Sequence, residues 1–149
     1  QAIPLKKLKD IYFIAVVTHF DTPLRRYLAE RGNIIIIDIN KNLKETLQIS
    51  AKVLREGKNL VIFPEGARTR DGELQEFKKT FAILSKELNI PVVPFGIRGA
   101  YESMPYGSSF PKSSPIDIKF FDEIEPEELT IDEIVQEARK EINDWLKED

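Results

Sequence analysis

Two hydrophobic periods alternate along this chain. Tyr12 to Val17 is an unbroken apolar run rich in aromatic and β-branched residues, which predicts a buried strand. Thr22 then offers an N-cap oxygen and Pro23 suits a first helical position, so a short helix is expected to about Arg31, closed by Gly32. The consecutive isoleucines Ile34 to Ile37 predict a strand covered on both faces. Asn42 and Glu45 have the spacing of a capping box, and Leu43, Leu47 and Leu54 share one helical face with Ala51 between them, up to a stop at Gly57. Leu60 to Phe63 is the next strand, expected to be central and, like the isoleucine run, buried.

From Pro64 to about Glu76 the periodicity lapses into a loop. A helix is expected over roughly Lys78 to Leu88, with Phe81, Leu84 and Leu88 facing inward, followed by a strand from Pro91 to Ile97. Gly99 to Ser114, with Pro105, Gly107 and Pro111, reads as an irregular connection. Ile116, Ile118 and Phe120 alternate with polar residues as on a half-buried strand. Thr130 and Glu133 form a second capping box, and Ile131, Ile134, Ala138, Ile142 and Trp145 or Leu146 line the apolar side of a final helix. No internal repeat or low-complexity segment interrupts the pattern. Strand-helix alternation predicts a single α/β domain over residues 1–149, with a mostly parallel sheet flanked by helices. Ligands of such sheets bind beyond the C-terminal ends of strands, here near Thr18, Asp38, Pro64 and Arg98.

Composition narrows the chemistry. Of the 149 residues 42% are hydrophobic and 32% charged, a balance that supports a packed core. No apolar run approaches the ~20 residues of a transmembrane helix. A net charge of −3 gives no footprint for nucleic acid. With no cysteine, disulfides and thiolate metal sites are impossible, and a single histidine makes a transition-metal centre improbable. Lys6, Lys7 and Lys9, then Arg25, Arg26 and Arg31, bias the N-terminal third towards positive charge, whereas acids crowd into Asp122 to Glu128 and the last helix. Such basic clusters attract anionic headgroups at roughly 1 kcal/mol per charge near a membrane. Solvated charged faces are the alternative.

The segment Pro64-Glu65-Gly66-Ala67-Arg68-Thr69-Arg70 has the chemistry of a site. Pro64 ends ladder pairing, Gly66 lets a ligand approach the backbone, and Arg68 and Arg70 offer planar forks to a phosphate. Glu65 can orient a guanidinium or accept a hydrogen bond from a substrate hydroxyl. An ordinary surface turn is the competing reading.

Phe63-Pro64-Glu65-Gly66-Ala67-Arg68-Thr69 resembles the FPEGTRS block of the PlsC-like glycerophospholipid acyltransferases, with Ala67 in place of Thr. Phe77-Lys78-Lys79 is similar to that family's FKKG segment, with Thr80 replacing Gly, and Ile90-Pro91-Val92-Val93-Pro94 to its IPVVP block. The resemblance runs from about Pro4 to Phe121. It implies transfer of a fatty acyl group from a thioester of coenzyme A or acyl carrier protein to a lysophospholipid or glycerol-phosphate hydroxyl. No metal or cofactor is needed beyond that acyl co-substrate, and Glu65, Gly66, Arg68 and Arg70 are the substrate-binding candidates. It further implies a cytoplasmic protein peripheral to the inner membrane face.

The family's base and its orienting carboxylate come from an HxxxxD motif preceding these blocks. Here the only histidine is His19, five residues before Leu24 and two before Asp21, so that spacing is absent. The expectation is therefore a chain truncated at its N-terminus, with Gln1 to Pro4 ending the motif's helix, no catalytic residue of its own and no turnover. Loss of that helix is expected to bare apolar surface and favour self-association. A second departure is Ile39 after Asp38, where many relatives have the Arg that helps hold the acceptor phosphate; Lys41 and Lys44 are nearby in sequence. Acyltransferase domains joined to an acyl-activating enzyme show a similar loss, so the parent could be such a fusion. A non-catalytic phosphate-binding or scaffolding module remains the alternative. A dinucleotide-binding domain is disfavoured, because no glycine-rich turn follows the first strand.

Overall fold

Parallel pairing begins at the first strand. In the computed structural model, which describes residues 8–16, 22–37 and 43–148, β1 (Ile11–Val16) lies between β2 (Ile34–Ile37) and β3 (Asn59–Val61). Both neighbours run parallel to it, with Phe13 opposite Ile34 and Ile11 opposite Asn59. The returns run through α1 (Pro23–Arg31) and α2 (Leu43–Arg55), each delivering the chain to a free edge of β1. This is the expected parallel α/β arrangement flanked by helices, with its centre elsewhere. The strand before Pro64 is not central among the described residues: β3 is an outer strand of this sheet as they form it, and Phe63 is 53% exposed. Likewise the isoleucines of β2 are half-buried rather than covered, because β2 is the other outer strand.

Local chemistry explains the ends of these elements. Gly32 N–H donates to the Leu28 and Ala29 carbonyls at 2.9 and 3.1 Å, closing α1. The left-handed residue is Asn33, one position later, and its amide donates to the Lys9 carbonyl at 3.1 Å. Lys58 pairs with Asp10 at 2.5 Å beside the Asn59 N–H bond to the Asp10 carbonyl, pinning the start of β3 to the start of β1. On α2 the buried line is Thr46, Ser50 and Val53, while Leu47 and Leu54 flank it half-buried. Small side chains permit the closest approach of a helix, so the face is rotated from the leucine line. The Asn42 cap lies outside the described residues.

Chain contacts divide into two compact units, Gln1–Phe63 and Pro64–Asp149. In the second, α3 (Thr80–Leu88) precedes β4 (Phe95–Arg98), a single turn α4 (Ala100–Ser103), β5 (Asp117–Phe120) and α5 (Ile131–Leu146). β4 and β5 do not extend the parallel sheet but pair antiparallel with each other, Phe95 opposite Phe120 and Ile97 opposite Ile118. Pro91 and Pro94 confine the earlier pairing to one bridge, Val92 with Ile124. The core joins Ala82 of α3, Ile124, and Ile134 and Ala138 of α5. The α5 capping box forms as read: Thr130 Oγ1 accepts from Glu133 N–H at 3.3 Å and Thr130 N–H donates to Glu133 Oε2 at 2.8 Å.

The β5 alternation is correct, but its apolar face is exposed, not half-buried. Trp145 of α5 lies against Gly96, so the helix covers the Gly96 face of β4. Cross-strand partners share a face. Ile118 and Phe120 therefore stand with Ile97 and Phe95 on the opposite side, where they are 57% and 54% exposed.

Candidate functional site: the Pro64–Glu76 loop

The loop is closed at its base by main-chain atoms, the Lys78 N–H donating to the Pro64 carbonyl at 2.9 Å. Glu65 Oε2 accepts the Gln75 N–H at 2.9 Å, a second rung across the same loop. Between them Gly66 turns with φ +74°, and the Lys78 side chain crosses its face. A Cβ at Gly66 would stand 2.5 Å from Lys78 Nζ and 2.8 Å from its Cε, so glycine supplies both the backbone conformation and the space for the ammonium. Farther out, Asp71 Oδ1 accepts from the Thr69 hydroxyl at 2.8 Å, the Glu73 N–H at 3.1 Å and the Gln75 side-chain amide at 3.3 Å.

Two later segments hold this loop from outside. The Tyr101 hydroxyl donates to the Arg70 carbonyl at 3.1 Å. Arg139 of α5 donates to the Gln75 carbonyl at 3.3 Å and pairs with Glu76 at 3.2 Å. The Tyr106 ring, from the connection after α4, lies under both loop arginines, 5.9 Å from Arg68 Cζ and 5.2 Å from Arg70 Cζ.

The result is a separation of charge. The acids Glu65 and Asp71 are used inside the loop as acceptors of its own N–H and O–H groups, while Glu76 pairs outward with Arg139. Arg68, Arg70 and Lys78 are exposed, and among the described residues none of them pairs with a carboxylate. The four sequence candidates Glu65, Gly66, Arg68 and Arg70 thus stand in one loop. Glu65 does not orient a guanidinium as anticipated; its carboxylate orders the loop instead. Lys78, Tyr101, Tyr106 and Arg139 were not singled out by sequence. Only Lys78 carried a signal, in the Phe77-Lys78-Lys79 segment; nothing in spacing joins residues 101, 106 and 139 to residue 66.

Arg98, expected near a ligand, serves the fold. Its guanidinium donates to the Trp145 carbonyl and, at 3.0 Å, to the Glu148 carbonyl, and lies 4.5 Å over the Trp145 ring. It thereby satisfies carbonyls at the end of α5, where a cation also complements the helix dipole. Thr18, His19, Asp21, Asp38, Ile39 and Lys41 lie outside the described residues, as do Lys6, Lys7 and the side chains of Arg25 and Arg26. A shallow cleft of about 270 Å³ beside α5, lined by residues including Glu76, Val135 and Arg139, contains none of Arg68, Arg70 and Lys78.

The loop's internal bonding has a pH signature. The Thr69 hydroxyl bond, then the Glu73 N–H bond, hold the Asp71 carboxyl below its ordinary value. The folded loop therefore favours the ionised form. Its contribution is complete above the usual Asp range, ~3.9, and is lost as pH falls through the depressed value. Amide exchange at Gly72 and Glu73 should accelerate in that acid window while exchange in α5 does not. Equal acceleration in both would show that Asp71 does not govern the loop.

Comparison with known proteins decides the lineage. A family model described as Acyltransferase matches residues 2–98. The chain belongs to this acyltransferase family. Among its relatives is the 1-acyl-sn-glycerol-3-phosphate acyltransferase of Limnanthes douglasii, 31% identical over 94 residues, which cover 63% of this chain and 32% of that protein. The enzyme of the same name from Cocos nucifera is 30% identical over 81 residues, covering 54% of this chain and 26% of that protein. The chain thus spans about a third or less of the length of these curated relatives. The crystal structure of the 1-acyl-sn-glycerophosphate acyltransferase PlsC from Thermotoga maritima superposes with a TM-score of 0.74 at 20% identity, over 93% of this chain and 56% of that one. That likeness establishes the PlsC-type acyltransferase fold. The family match ends at Arg98, so Tyr101, Tyr106 and Arg139, which brace the acyltransferase loop, lie beyond it.

Proposed function

We propose that this chain carries the acceptor-phosphate grip of an acyltransferase. The reaction moves a fatty acyl group from an acyl-CoA or acyl-carrier-protein thioester to a lysophospholipid or glycerol-phosphate hydroxyl, at the cytoplasmic face of a membrane. The observation that carries this reading is the charge separation in the Pro64–Lys78 segment, where among the described residues Arg68, Arg70 and Lys78 have no carboxylate partner and Lys78 lies across Gly66. Two planar guanidiniums and a point cation suit a phosphate, which accepts bidentate and single charge-assisted bonds together. The lysophosphatidate-acylating relatives support the acceptor class. In the reaction, the acceptor oxygen loses its proton to a base and attacks the thioester carbonyl, and the thiolate departs. Within the 149 residues no histidine stands five before an aspartate, so this chain supplies the grip and not the proton transfer.

Titration of the chain with glycerol 3-phosphate and with glycerol, followed by amide shifts, tests the proposal. Glycerol 3-phosphate should move Gly66, Arg68 and Lys78 while glycerol moves none. The chain should also release no thiol from acyl-CoA. Equal responses to both ligands would remove the phosphate grip. Thiol release abolished by His19→Ala would show that His19 is the base. A phosphate response from a full-length protein that never consumes thioester would favour the binding module.

A further inference from the structure

Beyond the family-matched residues, the connection from α4 to β5 forms a closed loop. The Lys112 N–H donates to the Ser103 carbonyl at 2.7 Å, and the Ser103 hydroxyl donates to the Lys112 carbonyl at 3.0 Å. This double tie pinches Ser103 and Lys112 together at the neck, as in a compact Ω-loop. The Ser108 N–H bond to the Pro105 carbonyl, at 3.0 Å, orders the tip. What the tip presents is apolar: Phe110 is 81% exposed, Tyr106 55% and Met104 36%. Water solvates these side chains poorly, and the tied neck leaves the segment little freedom to hide them.

Within the loop charge is of one sign, with Glu102 and Asp117 flanking it outside the neck. No Asp or Glu occurs from Ser103 to Ile116, in a chain with 25 acids, and Lys112 stands at the neck. Arg68 and Arg70 add positive charge beside it, both lying over the Tyr106 ring. We propose that the Ser103–Lys112 loop is a membrane-contact element that seats on an anionic phospholipid surface. Phe110 and Met104 enter the headgroup–acyl boundary, and Tyr106 lies at headgroup depth, where amphipathic rings prefer to be. Lys112, Arg68 and Arg70 face the anionic headgroups. A bilayer matches both properties of this surface, an apolar tip and a cationic collar. The contact itself is independent of the phosphate reading. Only its consequence, that the Pro64–Arg70 grip is brought to headgroup level through Tyr106, rests on that reading.

The test is partition of the chain onto vesicles of phosphatidylcholine and of equal parts phosphatidylcholine and phosphatidylglycerol, at low and high salt. Binding should require phosphatidylglycerol and weaken with salt. Phe110→Ser should lower the partition coefficient about tenfold, in keeping with the loss of one inserted aromatic ring. Phe110→Trp should retain binding and add vesicle-dependent blue-shifted emission to that of Trp145. Glycerol 3-phosphate affinity should be unchanged in Phe110→Ser, so failure of the phosphate grip is read separately from failure of the contact. Undiminished partition of Phe110→Ser, or no vesicle binding by the unaltered chain, overturns the proposal. So does retention by an acidic acyl carrier protein in place of vesicles, or a Phe110-dependent dimer that forms instead.

Discussion

Arg68→Ala should weaken binding of glycerol 3-phosphate to this chain by about tenfold or more. A charge-assisted contact to an ionised ligand is worth roughly 1.5–3 kcal/mol, which corresponds to about ten- to a hundredfold in affinity. Arg68 has no carboxylate partner among the described residues, so its removal strands no buried charge, and its guanidinium touches only the edge of the fold, over Tyr106. The loss should therefore appear in binding and not in thermal stability. Arg68→Lys should recover part of it, because the charge returns without the fork. Calorimetric or amide-shift titration of the three proteins decides the matter. If Arg68→Ala binds as before while Arg70→Ala does not bind, the grip belongs to Arg70.

Gly99→Ala should be among the most damaging small substitutions in the second unit. Gly99 has φ +84°, and a Cβ there would run into the Pro115 carbonyl oxygen. Neither atom belongs to a flexible side chain, so relief requires the backbone of the 99–116 connection to move. Left-handed strain costs about 1–3 kcal/mol and steric overpacking a similar amount, so a loss of about 2–5 kcal/mol in urea unfolding is expected. Gly107→Ala is the control: its φ is +87°, but nothing lies within 4 Å of its Cβ position. It should show the strain alone. Equal costs at the two positions would mean that the collision is relieved without consequence.

Which parts of this molecule could be read from its sequence follows from the range of the interactions. The helices over Pro23–Arg31 and Ile131–Leu146, and the Thr130–Glu133 box, depend on residues three or four apart and were legible. The order of the strands was not. Leu60 to Phe63 is as apolar as a central strand, yet β1 holds the centre because two crossovers compete for its edges. The alternation at Ile116, Ile118 and Phe120 marked a face but not which side α5 would cover, a choice made by Trp145 settling on Gly96. At the site, the Pro64–Arg70 motif named the cations. It could not show that Glu65 would bond to Gln75, because a carboxylate beside arginines looks equally suited to either partner. Nor could it reach Tyr106, whose contact with Arg68 spans a long stretch of chain.

Residue 78 occupies two places in the loop at once. Its main chain closes the base through the Pro64 carbonyl, and its side chain lays an ammonium across Gly66. Because any residue but proline provides that N–H, this closing bond does not depend on which side chain stands at the position. Loop closure and local charge thus reside in different parts of one residue. A single substitution at residue 78 can therefore make the surface over Gly66 cationic, neutral or anionic while the N–H that closes the loop is kept.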